Sequence, residues 1–277
     1  MFERILVPTD GSGPANAALE YAGEIAAREN LTVHILHVID PDADPADASE
    51  PIAEGRDWAG DTGAPVIDEV HTGEPQEAIL EYAATHDVDA IVMGTRGRRG
   101  VGRLLLGSVT EAVVRDAAVP VLVVRGAAEV RRRYPLETLV VPVDGSRHAD
   151  AALEQALEIA RHHDATVHCL SVVDVAPVGI DDGNDLRLER LEQYAQQVVD
   201  DGVQQAEEMG VDAVGAVQHG STQRQIREYT DDEDADLVVM GTHGRSGLDR
   251  LLLGSVTERV LRTATTPVVT VRAPAEE

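Results

Sequence analysis

The chain has 277 residues, with 50 Asp plus Glu, 23 Lys plus Arg and a formal net charge of −27 at pH 7. This length suits two domains, each large enough to bury its own core. The excess of acid argues against DNA, RNA or an anionic membrane as a partner, because those surfaces are bound through basic patches.

The composition also indicates a habitat. No lysine occurs, so all 23 basic residues are arginine. An acid-rich, lysine-free chain is typical of a protein from an extreme halophile, where salt screens self-repulsion; an acidic mesophile protein is the alternative. Cys169 is the one cysteine, which excludes an intramolecular disulfide, and its apolar surroundings predict burial. A strand pattern begins at once in "MFERILVPTD" and no apolar run is long enough to span a bilayer, which predicts a cytoplasmic protein.

Short apolar strands alternate with longer helical patterns along the chain. In the first half the pattern predicts strands near 3–9, 32–39, 65–71, 88–93 and 120–125, and helices at Pro14–Glu29, Pro75–His86 and Val109–Ala117. Ser12 and Ser146 are the predicted N-caps of the first helix in each half. Apolar strands joined by right-handed helical crossovers predict an α/β fold, a doubly wound parallel sheet with helices on both faces.

The second half repeats the first. The segment "ILVPTDGS" from Ile5 matches "LVVPVDGS" from Leu139 at an offset of 134 residues, whereas "DAIVMGT" from Asp89 matches "DLVVMGT" from Asp236 at an offset of 147. A repeat of this length indicates two duplicated domains rather than a solenoid. We therefore predict two Rossmann-like domains in tandem.

The two copies differ in length between their second and third strands. The second copy has a full helical pattern at Asp185–Met209, whereas Pro41–Pro65 of the first is rich in Pro, Asp and Gly, which oppose a long helix. The first domain is thus expected to lack most of one covering helix. The predicted domains are 1–126 and 137–277, joined by a linker at 127–136.

A Gly-x2-Gly-x9-Gly-Ser pattern follows the fourth strand of both copies. It comprises Gly94, Gly97, Gly107 and Ser108 in the first copy, and Gly241, Gly244, Gly254 and Ser255 in the second. Glycine lets a bulky anion approach the backbone, and the helix N-terminus that follows offers unpaired amides with partial positive charge. The pattern therefore predicts a phosphate-binding loop in each domain.

The side chains around the loops leave two interpretations. Arginines at 96, 98, 99 and 103 accompany the first loop, whereas the second has Arg245 and Arg250 against Asp249, so the first is expected to hold a polyphosphate more firmly. Alternatively, the glycines only form turns, and Ser108 and Ser255 only cap the following helix, because each begins the capping-box sequence "SVTE".

An aspartate follows the first strand of each copy. Asp10 and Asp144 come two residues after Pro8 and Pro142, which we expect to be the last residues of their strands. Open α/β sheets bind ligands outside the carboxyl ends of their strands, where the strand order reverses. Asp10 is therefore expected to face Gly94 across one crevice and to accept hydrogen bonds from a base or sugar. Alternatively, it only stabilises the "DGS" turn.

Together these motifs resemble the universal stress protein family. The resemblance rests on the V-P-x-D-G-S first strand, the H-V-I-D second strand, the Gly-x-Pro at Gly73–Pro75 and the glycine loop, and it covers nearly the whole chain. It implies a five-stranded parallel sheet of order 3-2-1-4-5 in each domain, and ATP, with Mg²⁺, as the ligand. It also implies that the last strands pair antiparallel, so that the two domains form an intramolecular pseudo-dimer or two chains form a homodimer.

The resemblance also implies the residues that contact the adenine nucleotide. The first site would comprise Asp10, Val38, Gly94, Gly97, Gly107, Ser108 and Val109, with Arg96 beside them. The second would comprise Asp144, Val172, Gly241, Gly244, Gly254, Ser255 and Val256.

Enzyme motifs are missing from the sequence. Without lysine there is no Gly-x4-Gly-Lys loop, and neither a Gly-x-Ser-x-Gly elbow nor a His-Glu-x2-His helix occurs. His34 and His168 match between the copies and are expected to be core residues of the sheets. We therefore predict an ATP-binding regulatory or stress-response module that is not an enzyme. The alternatives are a slow Mg²⁺-dependent nucleotide hydrolase that uses Arg96 or Arg98, and a non-binding dimeric scaffold with vestigial sites.

Overall fold

A computed structural model describes residues 2–39, 41, 51, 53, 55–56, 63–97, 106–126, 131–174, 184–244 and 252–274. The chain divides into two compact units, Met1–Tyr134 and Pro135–Glu277. Among the helices in the described ranges, none is both long enough and apolar enough to cross a membrane.

The first unit is a five-stranded parallel sheet with helical crossovers. Its strands are β1 (Arg4–Pro8), β2 (Thr32–Ile39), β3 (Val66–Thr72), β4 (Ala90–Gly94) and β5 (Val121–Val124), and its helices are α1 (Gly13–Glu29), α2 (Pro75–Thr85) and α3 (Ser108–Asp116). The strand order is β3-β2-β1-β4-β5 and all neighbouring pairs are parallel.

The second unit repeats this topology. Its strands are β6 (Thr138–Pro142), β7 (Thr166–Val173), β8 (Ala213–His219), β9 (Leu237–Gly241) and β10 (Val268–Val271), and its helices are α4 (Arg147–His163), α5 (Asn184–Glu208), α6 (Thr222–Asp232) and α7 (Ser255–Thr263). The order is β8-β7-β6-β9-β10, again all parallel. The predicted fold class and strand order are therefore confirmed in both units.

The strands nearest the middle of each sheet are apolar because helices cover both of their faces. All five residues of β4 and of β9 are buried, and Leu6 of β1 is fully buried. Pro8 and Pro142 are the last residues of β1 and β6, as predicted, so the missing amide falls where the strand ends.

The first helix of each unit starts at the predicted cap. The Ser12 hydroxyl accepts a hydrogen bond from the amide of Ala15 at 3.3 Å, and the Ser146 hydroxyl accepts one from Ala149 at 3.2 Å. Each hydroxyl satisfies one of the amides that have no partner within the helix. Both helices therefore begin directly after the turn that carries Asp10 or Asp144, at the carboxyl edge of the sheet.

Helix α5 matches the predicted helix within one residue at each end. It packs on the same face as α4, because a Cβ added to Gly202 would lie 3.1 Å from Cys169 Sγ and 3.3 Å from Leu153 Cδ2. Cys169 is buried as expected, and burial raises the pKa of its thiol to about 11.

The corresponding segment of the first unit is described only in part. The prediction that it lacks most of one covering helix falls mainly outside the described residues. Gly55 is buried against β2, since an added Cβ would lie 2.9 Å from Ile35 Cδ1. The neighbouring Arg56 donates to the Asp68 carboxylate of β3 at 2.6 Å. This short piece therefore does cover part of the outer strands.

The chain between the two units lies partly against α1. Of the linker predicted at 127–136, residues 127–130 lie outside the described ranges. The guanidinium of Arg132 donates to the Glu20 carboxylate at 3.0 Å, and the Tyr21 hydroxyl donates to the Arg133 carbonyl at 3.1 Å. Tyr134 is hydrogen-bonded to Glu29 and lies beneath the guanidinium of Arg28. These residues belong to the first unit.

Candidate functional site

The crevice at the carboxyl edge of each sheet lies where the strand order reverses. In the first unit β1 pairs with both β2 and β4, so the crossovers that leave β1 and β4 run in opposite directions. Because both are right-handed, α1 and α3 cover opposite faces of the sheet. The β1 and β4 ends therefore lie at the switch point of the sheet, and sheets of this kind bind ligands in the crevice at that position.

Asp10 and Asp144 occupy matching positions, and each lies between the following turn and the glycine loop. The amide of Ser12 donates to Asp10 Oδ1 at 3.1 Å, and the amide of Ser146 donates to Asp144 Oδ1 at 3.0 Å, so the aspartates do stabilise the "DGS" turns. Their other oxygens face the glycine loop. A Cβ added to Gly97 would lie 2.3 Å from Asp10 Oδ2, and the same atom on Gly244 would lie 2.8 Å from Asp144 Oδ2. The aspartate thus lies against the loop in both units, at its second glycine, whereas the prediction for Asp10 named the first glycine, Gly94.

The first glycine of each loop allows a helix to pack on a strand end. A Cβ on Gly94 would lie 2.5 Å from the carbonyl carbon of Pro14 at the start of α1. On Gly241 it would lie 2.7 Å from the backbone of His148 at the start of α4. Real Cβ atoms do not come this close to backbone, so only glycine fits. The glycine thereby brings the helix start, the strand end and the loop together.

Backbone and threonine hydrogen bonds hold the two ends of the loop together. In the first unit the amide of Gly107 donates to the Thr95 carbonyl at 2.8 Å, and the Thr110 hydroxyl donates to the Gly94 carbonyl at 2.8 Å. In the second unit the corresponding bonds join Gly254 to Thr242 at 2.9 Å and Thr257 to Gly241 at 2.8 Å. Sequence reasoning missed the two threonines, although both occupy the same place in "SVTE".

The capping-box interpretation is wrong for the helix after the loop. The N-cap residues are Gly107 and Gly254, and neither helix start has a side-chain cap. The Gly107 amide is already bonded to Thr95, while the Gly107 carbonyl accepts from Glu111 at 2.9 Å. The helix therefore begins one residue earlier than a Ser108 cap requires, with Ser108 as its first residue. Ser108 and Ser255 are exposed first residues of their helices, next to amides that have no acceptor within the helix.

The remaining predicted residues lie around the same crevice. Val38 and Val172 are half-buried near the carboxyl ends of β2 and β7, and Val109 and Val256 are the half-buried second residues of α3 and α7. The Arg96 carbonyl accepts a hydrogen bond from the Ser12 hydroxyl at 3.4 Å, which places its backbone at the crevice. The other charged residues predicted for the loops, at 98, 99, 103, 245, 249 and 250, lie outside the described residues.

A histidine pair distinguishes the second unit. His148 and His243 occupy the positions of Pro14 and Arg96 in the first unit, and their ring centroids are 5.1 Å apart. Nε2 of His243 lies 2.6 Å from the Leu252 carbonyl. Because a carbonyl only accepts, this nitrogen carries a proton. The His243 side chain thus links the start of the second glycine loop to its end.

The surroundings of His148 favour its neutral ring. His243 Nδ1 lies 3.0 Å from the Thr242 hydroxyl, and His148 Nδ1 accepts from the Ala273 amide at 3.0 Å. Burial lowers the pKa of His148, and the nearby charges of His243 and two arginines lower it further. Sequence reasoning missed this pair, because it considered only the arginines beside the second loop.

Two other histidines belong to the core, as expected. Nδ1 of His34 lies 3.0 Å from the Tyr82 hydroxyl and that of His168 lies 2.9 Å from the Tyr229 hydroxyl. Burial lowers the pKa of both histidines. Each ring packs between a central strand and the helix that covers it, away from the crevice, and so neither belongs to the candidate site.

The fold and the crevice define a class of protein. The chain is a tandem of two doubly wound α/β domains, each with an aspartate and a glycine loop at the switch point of its sheet. A model of the Universal stress protein family matches residues 1–125 and 135–272. The chain therefore belongs to the universal stress protein family and carries two such domains in tandem.

Individual relatives agree with this assignment. A universal stress protein of Methanocaldococcus jannaschii is 40% identical over 142 residues, which cover 50% of this chain and 84% of that protein. A universal stress protein of Mycolicibacterium smegmatis is 28% identical over an alignment of 298 residues, gaps included, which covers 97% of this chain and 96% of that protein. The crystal structure of a universal stress protein from Archaeoglobus fulgidus shares the fold, with a TM-score of 0.71, 23% identity and 98% of both chains covered.

Proposed function

We propose that each unit binds one molecule of ATP, with Mg²⁺, in the crevice between its first and fourth strands. The observation that carries the proposal is the contact between the aspartate and the loop glycine, which occurs in both units with Oδ2 at 2.3 Å and 2.8 Å from the added Cβ positions. A glycine loop drawn against a carboxylate at a switch point brings a phosphate-binding backbone and a base-recognising acid into one crevice.

Each part of the crevice has a role in this proposal. The carboxylate oxygen that faces the loop accepts a hydrogen bond from the base or the sugar. The first amides of α3 and the exposed Ser108 hydroxyl donate to phosphate oxygens, and the positive end of the helix favours their charge. Arg96 adds positive charge in the first unit. Mg²⁺ enters with the triphosphate and offsets part of its negative charge. The second unit offers the same groups, with His243 in the arginine position.

The same groups favour a regulatory role over catalysis. Phosphoryl transfer requires an oriented nucleophile and groups that stabilise charge in the transition state. In each unit the aspartate after the first strand, Asp10 or Asp144, has one oxygen that accepts from a turn amide, that of Ser12 or Ser146. The described groups bind a nucleotide, and the proposed output is a change in conformation or in partner choice with nucleotide occupancy. The acid-rich, lysine-free composition supports a halophilic cytoplasmic setting, so assays belong in molar KCl.

The test is direct binding and identification of the ligand. Protein purified in molar KCl is denatured, and mass spectrometry of the released small molecules is expected to find an adenine nucleotide. Calorimetry of the emptied protein is expected to show two ATP per chain, and Asp10→Ala and Asp144→Ala are expected to abolish one site each. A chain that releases no nucleotide and binds none contradicts the proposal. Phosphate release that is lost together with binding in these variants supports the hydrolase alternative instead.

A further inference from the structure

Helix α5 of the second unit extends beyond the sheet that it covers. It has 25 residues, or about 37 Å at 1.5 Å per residue, whereas the 8 residues of β7 span about 26 Å. His219, the last residue of β8, bonds to Glu192 on α5 at 2.8 Å, which marks the level where the sheet ends. The residues of α5 before this level therefore stand beside the crevice rather than over the strands.

Tyr194 lies at that level and reaches the aspartate turn. Its hydroxyl donates to the Asp144 carbonyl at 3.3 Å. A Cβ added to Gly145, which has φ +73°, would lie 2.3 Å from the Tyr194 hydroxyl oxygen and 3.3 Å from Val198 Cγ2. Glycine is thus required at 145 both by its left-handed backbone and by the tyrosine above it. The Tyr194 residue remains 38% exposed, at the rim of the crevice.

We propose that Tyr194 contacts the nucleobase of the ligand in the second unit and makes that site selective for a base-bearing nucleotide over a bare polyphosphate. This inference rests on the proposed function. The hydroxyl anchors the ring beside Asp144, the residue that would accept a hydrogen bond from the base. An anchored tyrosine offers a rigid apolar face, and such faces bind nucleobases by stacking.

The first unit has no tyrosine for the same contact, and the aromatic residue of its shorter segment, Trp58, lies outside the described residues. Its segment between the second and third strands is 13 residues shorter than in the second unit and contains no tyrosine. The second unit therefore gains more from the base, whereas the first, with Arg96 at its loop, depends more on the phosphates. The two sites of one chain are expected to rank ATP against tripolyphosphate differently.

Photolabelling identifies the contact directly. Irradiation of the full chain with 8-azido-ATP in molar KCl, followed by trypsin, is expected to modify the peptide of residues 191–224, with the adduct on or next to Tyr194. Excess ATP is expected to abolish the labelling, and excess tripolyphosphate to reduce it at higher concentration. ATP-protected labelling of the second unit that spares this peptide overturns the inference.

Affinity measurements separate the ring from its hydroxyl. In an Asp10→Ala background, which disables the first site, Tyr194→Ala is expected to weaken ATP about tenfold and to leave tripolyphosphate unchanged. Tyr194→Phe keeps the ring and is expected to retain most of the ATP affinity. Gln197→Ala, an exposed change on the same helix, serves as the control. Thermal unfolding of all three variants verifies that α5 remains folded, since alanine is favourable in a helix.

The affinity measurements distinguish a failure of the inference from a failure of the proposed function. Unchanged ATP affinity in Tyr194→Ala, or an equal loss for ATP and tripolyphosphate, overturns the role of Tyr194 while ATP binding itself stands. If the unchanged chain binds neither ligand, the proposed function fails and the inference fails with it.

Discussion

The glycine loops of the two units share one backbone arrangement but differ in the side chains around it. Gly107 and Gly254 make matching bonds to the residue after the first glycine, at 2.8 Å and 2.9 Å, and the two threonine bonds are both 2.8 Å. Beside these shared bonds the first unit has Pro14 and Arg96, and the second has His148 and His243. The comparison shows that the same backbone and threonine bonds join the ends of both loops, whereas the side chains beside them differ.

The second difference lies beside the aspartate turn of each unit. Tyr194 covers Gly145 in the second unit, on a helix that the shorter segment of the first unit cannot reproduce at full length. We expect two sites with related chemistry and different balances of base and phosphate recognition.

The largest effect is expected from the second glycine of each loop. Gly97→Ala places a Cβ 2.3 Å from Asp10 Oδ2 and Gly244→Ala places one 2.8 Å from Asp144 Oδ2, so either change displaces the carboxylate or opens the loop. We expect a loss of ATP affinity of about 100-fold in the altered unit, near the upper range for a hydrogen bond to a charged group. Calorimetry of the two sites measures it.

Gly13→Ala is the matched control for this change. An added Cβ at Gly13 has no neighbour within 4 Å, and alanine suits the first turn of α1. It is expected to leave binding in both units unchanged. Equal affinities for Gly97→Ala and Gly13→Ala would show that the close contact with Asp10 has no part in binding.

A smaller effect is expected when Arg96 and His243 are exchanged. Arg96→His removes positive charge from the first loop, and His243→Arg adds it to the second while breaking the link to the Leu252 carbonyl. Each change is expected to shift affinity for tripolyphosphate by about fivefold, or about 1 kcal/mol, in opposite directions. The shift should shrink as KCl rises, because salt screens exposed charges. Arg115→His, on α3 and paired with Asp116, controls for a general change of charge.

Substitutions of two groups of serines distinguish an effect on stability from an effect on binding. Ser12 and Ser146 cap their helices, whereas Ser108 and Ser255 are the first residues of theirs. Ser12→Ala and Ser146→Ala each remove a cap and are expected to lower the free energy of unfolding by about 1 kcal/mol. Ser108→Ala and Ser255→Ala remove no cap and are expected to leave that free energy within about 0.5 kcal/mol while weakening ATP binding. Denaturant titration and calorimetry distinguish the two pairs. Destabilisation by the second pair would restore the capping interpretation.

The smallest effect is expected in the pH dependence of stability, through three histidines. The pKa values of His34, His148 and His168 are lowered from 6.5 in the folded chain, chiefly by burial. Below 6.5 the unfolded chain therefore binds protons that the folded chain does not, so stability is lost as pH falls through that region. The second unit has one more such group than the first, because proline replaces His148 there.

Thermal unfolding in constant KCl, between a pH of about 7.5 and about 5.5, measures this loss. We expect a fall of a few degrees, and His148→Gln is expected to reduce it. Arg147→Gln, which removes the adjacent charge but keeps the imidazole, provides the comparison. An acid response that is the same with and without His148 would contradict the assignment of that group.

The strands and helices could be predicted because they follow from local sequence patterns. Apolar strands, prolines at strand ends and serine caps are short-range signals, and the predicted bounds agree with the structure within about two residues. The strand order came from the resemblance. The approach of Asp10 to the loop followed from the switch-point rule, because it depends on topology rather than on side-chain detail.

The missed features all depend on contacts between distant parts of the chain. Thr110 bonds to a carbonyl 16 residues earlier, and Tyr194 bonds to one 50 residues earlier, so neither has a local signature. The SVTE sequence was misleading for the same reason. A tertiary bond from Gly107 to Thr95 decides where α3 begins, and this bond overrides the local preference of serine for the cap.

The segment that follows the first sheet has a practical consequence. Arg132, Arg133 and Tyr134 are bonded to α1 through a carboxylate, a tyrosine hydroxyl and a glutamate. These residues belong to the segment predicted as a linker between duplicated domains, and they cover part of α1. An excised first copy should accordingly end after Tyr134, since an earlier cut would leave α1 bare and invite proteolysis or aggregation of the fragment.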